Sequence, residues 1–292
     1  MAAAGLPPAN MRAAFWMVLG GVGFTLLWVL VRLASDELHP FQLVFWSNAL
    51  GFLWLVPMLL TGQRLSDSLL RRNDARLHMR RAGFGVFGLF ALFYAVAQAP
   101  LVQVLAIGFA APLLAALGAM LFLHERPGRV RGGALIAGMA GLLLVLRPGT
   151  QPLPAGVLAA VAAAFIAASA SLSLGNNANT GDPRARTLWL LLLLTPLSAL
   201  LALPWWSWPE ANLWPILFAI GACAAAGHLG LARALSLADE SVVLPFEFVR
   251  FGLVALAGIK LFGERPALST LGGGGLLLIA ALVLADRARK RR

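Results

Sequence analysis

The sequence predicts an all-α integral membrane protein in which ten transmembrane helices form two inverted repeats of five. Three observations lead to this fold. The composition is 60% hydrophobic and only 12% charged, with a mean hydropathy of +0.83, whereas soluble domains carry roughly 25% charged residues. Ten long apolar runs fill the chain, and a short motif near its middle recurs near its end. The predicted setting is therefore a lipid bilayer.

The apolar runs are continuous, without the alternation of a barrel strand. Each therefore predicts a helix of about 20 residues that crosses the hydrocarbon core. In chain order the predicted spans 1 to 10 are 12–34, 40–61, 80–99, 101–123, 130–147, 153–174, 186–204, 212–233, 241–262 and 267–286. The first run is too long for a signal peptide and lacks a small-residue cleavage pattern. We therefore expect it to be a span of the mature protein.

Charges between the spans predict the orientation. Arginines cluster between spans 2 and 3, 4 and 5, and 6 and 7, and the positive-inside rule places such connections in the cytoplasm. The connection at 35–39 is acidic, and the one around Trp205 and Trp206 has no basic residue. Ten spans with both termini in the cytoplasm satisfy this pattern. The arginine-, alanine- and leucine-rich, lysine-poor composition suggests a GC-rich bacterial genome. We therefore expect the protein in a bacterial inner membrane.

The recurring motif is Glu125-Arg126-Pro127, which returns 139 residues later as Glu264-Arg265-Pro266. It divides the chain into repeats 12–149 and 153–286. Because five spans is an odd number, the second repeat is predicted to be inverted. The charges agree, since Arg129 and Arg131 follow the first copy and uncharged residues follow the second. Inverted repeats are typical of alternating-access transporters, whose substrate site lies at the repeat interface near the membrane midplane.

Several motifs resemble the drug/metabolite transporter superfamily and, within it, the EamA family. They are the Leu-Phe-x-x-Glu-Arg-Pro end of span 4, the glycine-rich fifth helix of each repeat, His39-Pro40-Phe41, and Leu244-Pro245-Phe246-Glu247. One departure is Ser47, four residues before Gly51, where family members often carry arginine. The resemblance implies transport of a small-molecule solute. It also places spans 5 and 10 at the periphery, where their glycines allow close approach and support homodimer contacts.

The acid and the base deepest inside a predicted span are Glu247 and Arg250. They lie three residues apart in span 9, so they share a helix face. Charged groups inside a membrane usually face a cavity or pair with each other. The functional interpretation gives Glu247 a proton-coupling or amine-binding role, and Arg250 a role in holding a substrate carboxylate. The alternative is a structural ion pair, and Pro245 is expected to kink the helix just before it.

Five further residues complete the predicted substrate or coupling site. His228 lies in span 8, and Tyr94 and Gln98 share one face of span 3. Because spans 3 and 8 are equivalent in the two repeats, these groups are expected to converge across the pseudo-twofold axis. Thr25 and Trp28 line span 1. The alternative for each is packing: a hydrogen-bonded helix contact, or for the tryptophan an interfacial belt.

The sequence also argues against several function classes. It contains no zinc-binding HExxH pattern, no GxSxG elbow and no Walker loop, so we predict neither a metal nor a cofactor. A single cysteine, Cys223, excludes an internal disulfide. The net charge of +11 is distributed between spans and at the C-terminus, which indicates membrane orientation and not nucleic-acid binding.

The predicted function is secondary transport of small organic metabolites by alternating access, with possible proton coupling. An amino-acid-like solute suits one acid and one base in the cavity, and the resemblance favours export. The alternative is an uptake permease for a vitamin or a nucleoside-like cofactor. Alternatives of another class are a membrane-embedded enzyme, which lacks a second deep acid here, and a scaffold.

Overall fold

The computed structural model describes residues 8–60, 75–122, 128–149, 152–174 and 182–289, and within these ranges the chain is helical without strands. The helices are α1 (Pro8–Ala34), α2 (Pro40–Leu60), α3 (Ala75–Gln98), α4 (Leu101–Gly108), α5 (Ala111–Phe122), α6 (Arg129–Leu146), α7 (Ala155–Leu174), α8 (Pro183–Ala202), α9 (Trp214–Leu237), α10 (Glu240–Val243), α11 (Glu247–Phe262) and α12 (Leu268–Arg289). The prediction of an all-α membrane protein is confirmed.

Nine helical stretches in the described ranges are long and apolar enough to cross a membrane. They match nine of the ten predicted spans, with α4 and α5 forming one stretch and α10 and α11 another. The exception is predicted span 2, which is the 21-residue helix α2. The chain is therefore a multi-pass membrane protein.

Two of the spanning stretches are broken where the sequence contains proline. In the first, α4 ends at Gly108 and a turn at Phe109 and Ala110 precedes α5, whose second residue is Pro112. In the second, a 3-10 turn at Leu244–Phe246, which contains Pro245, separates α10 from α11. The expected irregularity at Pro245 is present. Each break lies in the fourth predicted span of its repeat.

The helices pack mainly across the boundary between the two predicted repeats. The largest pairings are α1 with α9, α6 with α12 and α3 with α7, followed by α2 with α9 and α2 with α8. In the two predicted repeats, α1 is equivalent to α7, α9 to α3, and α11 to α5. The α1–α9 contact therefore corresponds to the α7–α3 contact, and the α1–α11 contact to the α7–α5 contact; all four pairs pack together. The two halves of the chain are therefore interleaved.

Glycines allow two of these pairs to approach closely. A Cβ atom on Gly230 of α9 would lie 2.7 Å from the Cα of Gly20 on α1, and one on Gly273 of α12 would lie 2.6 Å from the carbonyl oxygen of Gly141 on α6. Small residues are the usual means by which membrane helices bring their backbones together. The predicted close approach of spans 5 and 10 thus occurs within one chain, through Gly141 and Gly273.

Of the two copies of the repeated motif, only the second lies among the described residues. Glu264-Arg265-Pro266 lies in the connection between α11 and α12. Glu125-Arg126-Pro127 lies outside the described residues, as do three arginines of the connection between spans 2 and 3, Arg64, Arg71 and Arg72. Only the second copy therefore has side-chain contacts to report.

Candidate functional site

The first two predicted site residues form an ion pair at the start of α11. Oε2 of Glu247 lies 3.3 Å from Nη1 of Arg250, and their side chains are 14% and 15% exposed. The helix brings them together because residues three apart stand above one another on one face. Their position follows from the 3-10 turn around Pro245, which ends directly before Glu247. The pair is thus largely shielded and neutral as a unit.

The guanidinium of Arg250 lies between two aromatic side chains of α1. Its Cζ is 5.2 Å from the ring centroid of Phe24 and 4.9 Å from that of Trp28. The close approach of α11 to α1 is aided by Gly21, since a Cβ atom there would lie 3.4 Å from Cβ of Arg250. Cation–π contacts of this kind gain strength where water is excluded. The predicted residue Trp28 therefore belongs to the same site as Arg250.

His228 extends the site to α9. Its imidazole packs edge-to-face on the ring of Phe24, with centroids 5.2 Å apart and an interplanar angle of 89°. We call the five residues Glu247, Arg250, Phe24, Trp28 and His228 the α1–α9–α11 site. Four of the five were predicted as site residues. Phe24, whose ring contacts both Arg250 on α11 and His228 on α9, was not among the predicted site residues.

One polar atom of this site has no partner. Nε of Arg250 is buried and has no hydrogen-bond acceptor among the described residues. A buried donor without an acceptor is unfavourable, and such groups are commonly satisfied by an unrecorded water or ligand. The site thus brings two aromatic rings, one N–H donor and a carboxylate within a few ångströms of one another. This combination suits a planar ligand that carries ring acceptors.

Thr25 has a local role in the structure. Its side chain is 6% exposed, and Oγ1 donates a 2.8 Å hydrogen bond to the carbonyl oxygen of Gly21, four residues earlier on α1. Ser and Thr hydroxyls in membrane helices commonly bond to the preceding turn in this way. Thr25 is next to the α1–α9–α11 site in sequence, but its hydroxyl is used within the helix.

Tyr94 and Gln98 have contacts elsewhere. The Tyr94 ring lies 6.5 Å from that of Phe41 on α2, and the Gln98 side chain is exposed at the last residue of α3. The backbone of Gln98 packs against Gly156 of α7. The expected convergence with His228 is not seen in the described contacts of these residues. The reason is the helix pairing, in which α3 packs on α7 while α9 packs on α1.

A second charged cluster was missed in the sequence. Both carboxylate oxygens of Glu264 accept the backbone N–H of Leu101, each at 3.0 Å, and Oε1 lies 3.2 Å from Nη1 of Arg32. Arg32 also donates to the carbonyl oxygens of Val96 and Ala99. The ends of α1 and α3, the start of α4 and the α11–α12 connection therefore meet at one carboxylate. We call this the Arg32–Glu264 cluster.

The sequence contained a signal for this cluster. Glu264 belongs to the repeated Glu-Arg-Pro motif, which was interpreted only as a marker of helix ends and of inversion. The carboxylate of Glu264 also has a structural role, because a negative charge stabilises the free N–H groups at the start of a helix, here α4. The partner Arg32 lies 232 residues away in the chain. No local pattern connects residues at that distance.

Comparison with known proteins is consistent with this geometry. Residues 11–147 match the model of the EamA-like transporter family. The chain is 30% identical over 293 residues to the riboflavin transporter of Rhizobium johnstonii, covering 98% of this chain and 95% of that protein. It is 31% identical over 288 residues to the riboflavin transporter of Vibrio cholerae serotype O1, covering 97% and 96%.

The chain therefore belongs to the EamA-like transporter family of the drug/metabolite transporter superfamily. A solved crystal structure shares the fold, with a TM-score of 0.57 and 22% identity over 94% of this chain and 98% of that one. The family assignment confirms the resemblance seen in the motifs. It also makes this protein a small-molecule transporter by class.

Proposed function

We propose that this protein is a secondary transporter that takes up a planar heteroaromatic vitamin, with riboflavin or a related flavin as the substrate. The observation that carries the proposal is the position of Arg250 between Phe24 and Trp28, with its buried Nε unsatisfied. A flavin ring is flat and carries carbonyl oxygens and ring nitrogens as acceptors. Such a ring stacks on aromatic side chains and accepts a hydrogen bond from a guanidinium.

The two relatives named as riboflavin transporters support this choice over an amino-acid-like solute. The structure adds a physical reason. A zwitterionic amino acid needs one free cation and one free anion in the site, whereas Glu247 and Arg250 already neutralise each other at 3.3 Å. Aromatic surface is the larger recognition feature here. The vitamin-uptake alternative thus replaces amino-acid export as the leading hypothesis.

The proposed mechanism is alternating access between two inverted five-helix repeats, 12–149 and 153–286. Two observations support this mechanism. Equivalent helices of the two repeats form equivalent pairs, and the fourth span of each repeat is broken at a matching place, before α5 and before α11. Charge placement supports ten spans with both termini in the cytoplasm of a bacterial inner membrane. In this scheme Glu247 is a group that couples transport to protons, because a carboxylate paired with a ligand-binding arginine can release that arginine when it is protonated.

The test is riboflavin flux in proteoliposomes containing the purified full chain. We expect uptake of labelled riboflavin that excess flavin abolishes and excess amino acids leave unchanged. Trp28→Phe keeps a ring but loses area, and we expect about a threefold to tenfold lower uptake at low substrate concentration. Trp208→Phe is the matched control, since Trp208 is 74% exposed and outside the α1–α9–α11 site. Amino-acid flux without flavin flux would refute the proposal.

A second pair of variants addresses coupling. Arg250→Lys keeps the charge but loses the planar fork, so we expect weaker flavin uptake in any gradient. Glu247→Gln removes the carboxylate that the proposal assigns to proton coupling, so we expect uptake that no longer responds to an imposed pH gradient. Gradient-driven uptake that is equal in Glu247→Gln and the unsubstituted protein would show that coupling does not pass through this residue.

A further inference from the structure

The break between α4 and α5 deprives one backbone carbonyl of its helical donor. The N–H groups of Phe109 and Ala110 donate to carbonyl oxygens in the last turn of α4, with Ala110 bonded to Ile107 at 2.9 Å. In a continuous helix the next carbonyl, that of Gly108, accepts the N–H of residue 112. Residue 112 is proline, which has no N–H. The Gly108 carbonyl oxygen therefore lacks the donor that its own helix would supply.

Gly108 is exposed although the helix that ends with it is buried. Six of the eight residues of α4 are buried, and so are Phe109 and Ala110 after it. A helix that is apolar and buried all round lies inside the bundle, away from lipid. A Cβ atom added at Gly108 would have no described atom within 4 Å. The exposure of Gly108 thus indicates space inside the protein, where non-helical backbone is tolerated at membrane depth.

The direction that Gly108 faces follows from its neighbours on α4. Gln103 donates a 3.2 Å hydrogen bond to the carbonyl oxygen of Val145 on α6. A Cβ atom added to Gly274 of α12 would lie 3.0 Å from that of Ala106. This side of α4 therefore packs on the α6–α12 pair. Gly108 is two residues after Ala106, about 200° around the helix, so it faces away from that pair and into the bundle.

Helix α11 connects this surface of α4 with the α1–α9–α11 site. The Phe251 ring of α11 packs on that of Phe109, with centroids 5.8 Å apart, and the preceding residue, Arg250, contacts α1. In the predicted repeats Gly108 is equivalent to Glu247, since 139 residues separate them as they separate the two Glu-Arg-Pro motifs. The Gly108 carbonyl and the ion pair thus lie at equivalent breaks on two helices that pack together.

We propose that the Gly108 carbonyl oxygen is a hydrogen-bond acceptor of the substrate site and complements the Nε donor of Arg250. The inference rests on the proposed flavin transport and concerns how the ring is recognised. A flavin ring carries one N–H, at N3, between two carbonyl groups, so a site with one donor and one acceptor matches it. Unwound backbone carbonyls commonly serve as ligands in transporters with discontinuous helices. Gly108 would therefore select rings that carry an N–H beside a carbonyl group.

The first test compares riboflavin with its N3-methyl derivative as competitors of labelled riboflavin uptake in proteoliposomes containing the full chain. The derivative keeps the ring and both carbonyl groups but has no N–H. We expect it to compete about tenfold more weakly, the effect of one lost hydrogen bond to an acceptor withdrawn from water. Equal competition would overturn the inference and leave flavin transport intact. Absence of riboflavin uptake would overturn the proposed function and the inference with it.

Pro112→Ala separates the hydrogen bond from the bulk of the methyl group. It supplies the missing N–H, so the helix itself occupies the Gly108 carbonyl, and we expect the preference for riboflavin to fall from about tenfold to near unity. Pro196→Ala is the matched control, because it restores an N–H inside α8, outside the site. An unchanged preference in Pro112→Ala, or an equal fall in Pro196→Ala, would overturn the inference.

Gly108→Ala is a second variant that the fold accommodates, since its Cβ atom has space. We expect an unchanged unfolding temperature and about threefold lower riboflavin uptake at low substrate concentration, because the added methyl group enters the space beside the carbonyl. Gly272→Ala on α12 is its control, as the Cβ atom there also has no described atom within 4 Å. Equal uptake by these two variants would show that Gly108 does not face the substrate.

Discussion

At the residue scale, the α1–α9–α11 site combines one ion pair with three rings. Glu247 neutralises Arg250, and Phe24 and Trp28 cover the guanidinium. A charge in hydrocarbon is tolerated only with such partners. The two charges therefore stabilise each other in their buried position, and Nε of Arg250 is the donor that the proposed function assigns to the ligand. The ion pair and the proposed ligand contact thus use different nitrogen atoms of Arg250, Nη1 and Nε.

His39 gives a prediction for pH dependence. It lies between α1 and α2, stacks on Trp205 at 5.0 Å and accepts the N–H of Phe41 through Nδ1. Burial lowers the pKa of His39 below its ordinary value of 6.5. The unfolded chain therefore takes up this proton more readily than the folded one, so stability is constant above about pH 6.5 and falls as the pH drops below it.

The measurement is thermal unfolding of the detergent-solubilised protein from about pH 7.5 to pH 5, the range in which histidine titrates. His39→Gln removes the titration but keeps a polar side chain, and we expect a flatter profile below pH 6.5. An equally steep loss of stability in His39→Gln would assign the effect to other groups.

The residues of the site differ in how well the sequence predicted them. Glu247 and Arg250 were identifiable because charges are rare inside apolar runs, and each rare charge needs a partner. Gln98 and Tyr94 were chosen because spans 3 and 8 are equivalent, but equivalence does not determine which face of a helix meets which neighbour. The Arg32–Glu264 cluster was missed because its partners are distant in sequence and meet only after packing.

At the element scale, glycine contacts decide how closely helices pack. Gly230→Ala places a Cβ atom 2.7 Å from Cα and 2.8 Å from N of Gly20. Backbone atoms cannot rotate away, so α1 or α9 must shift, and we expect a loss of about 1–3 kcal/mol. Gly272→Ala on α12 is the control, because no atom lies within 4 Å of its added Cβ. We expect that variant to be neutral or slightly stabilised.

The experiment for this pair is thermal unfolding of both variants in the same detergent. A lower unfolding temperature for Gly230→Ala alone supports the close α1–α9 contact. Equal unfolding temperatures for the two variants would mean that the helices have space at Gly230 that the geometry does not show.

The Arg32–Glu264 cluster joins four elements at one end of the bundle. In the proposed alternating-access cycle, we expect this cluster to hold its end closed in one state and to separate in another. Glu264→Gln keeps an acceptor for the N–H of Leu101 but loses the charge that attracts Arg32. We expect the open population to rise about tenfold, which corresponds to the loss of a charge-assisted interaction present only in the closed state.

Cys223, the single cysteine of the chain, provides the measurement. It is half-buried on α9, where its carbonyl oxygen faces Gly23 of α1, so its alkylation rate is expected to rise when opening moves α1 away from α9. Lys260→Gln is the control, because Lys260 is exposed on the same helix α11. A Cys223 alkylation rate that is unchanged by Glu264→Gln would mean that the ion pair does not control opening.

At the scale of the whole molecule, the topology is open to a direct test. Ten spans place a reporter fused after residue 292 in the cytoplasm, and one inserted near Trp208 in the periplasm. The second position lies in the connection between α8 and α9, which contains no basic residue. A periplasmic signal from the C-terminal fusion would exclude ten spans and with them the inverted arrangement.

Most of the fold was accessible from sequence because membrane helices follow from hydrophobic length alone. Nine predicted spans match spanning stretches in the described residues, and predicted span 2 coincides with the helix α2. The pairing of the helices was not accessible. The pairing depends on which glycines of one helix contact the backbone of another, as at Gly20 and Gly230. The orientation of each helix about its axis, and so these contacts, follows only from the packing of the whole bundle.

The interleaved pairing has a consequence for biosynthesis. Helix α1 is synthesised before its main partner α9, which begins at Trp214. Until α9 is inserted, Gly20 and Gly23 of α1 face lipid or temporary neighbours. Formation of this helix pair is thus delayed until α9 has left the ribosome. Two halves expressed as separate polypeptides, divided near residue 150, would each be short of partners until they met in the membrane.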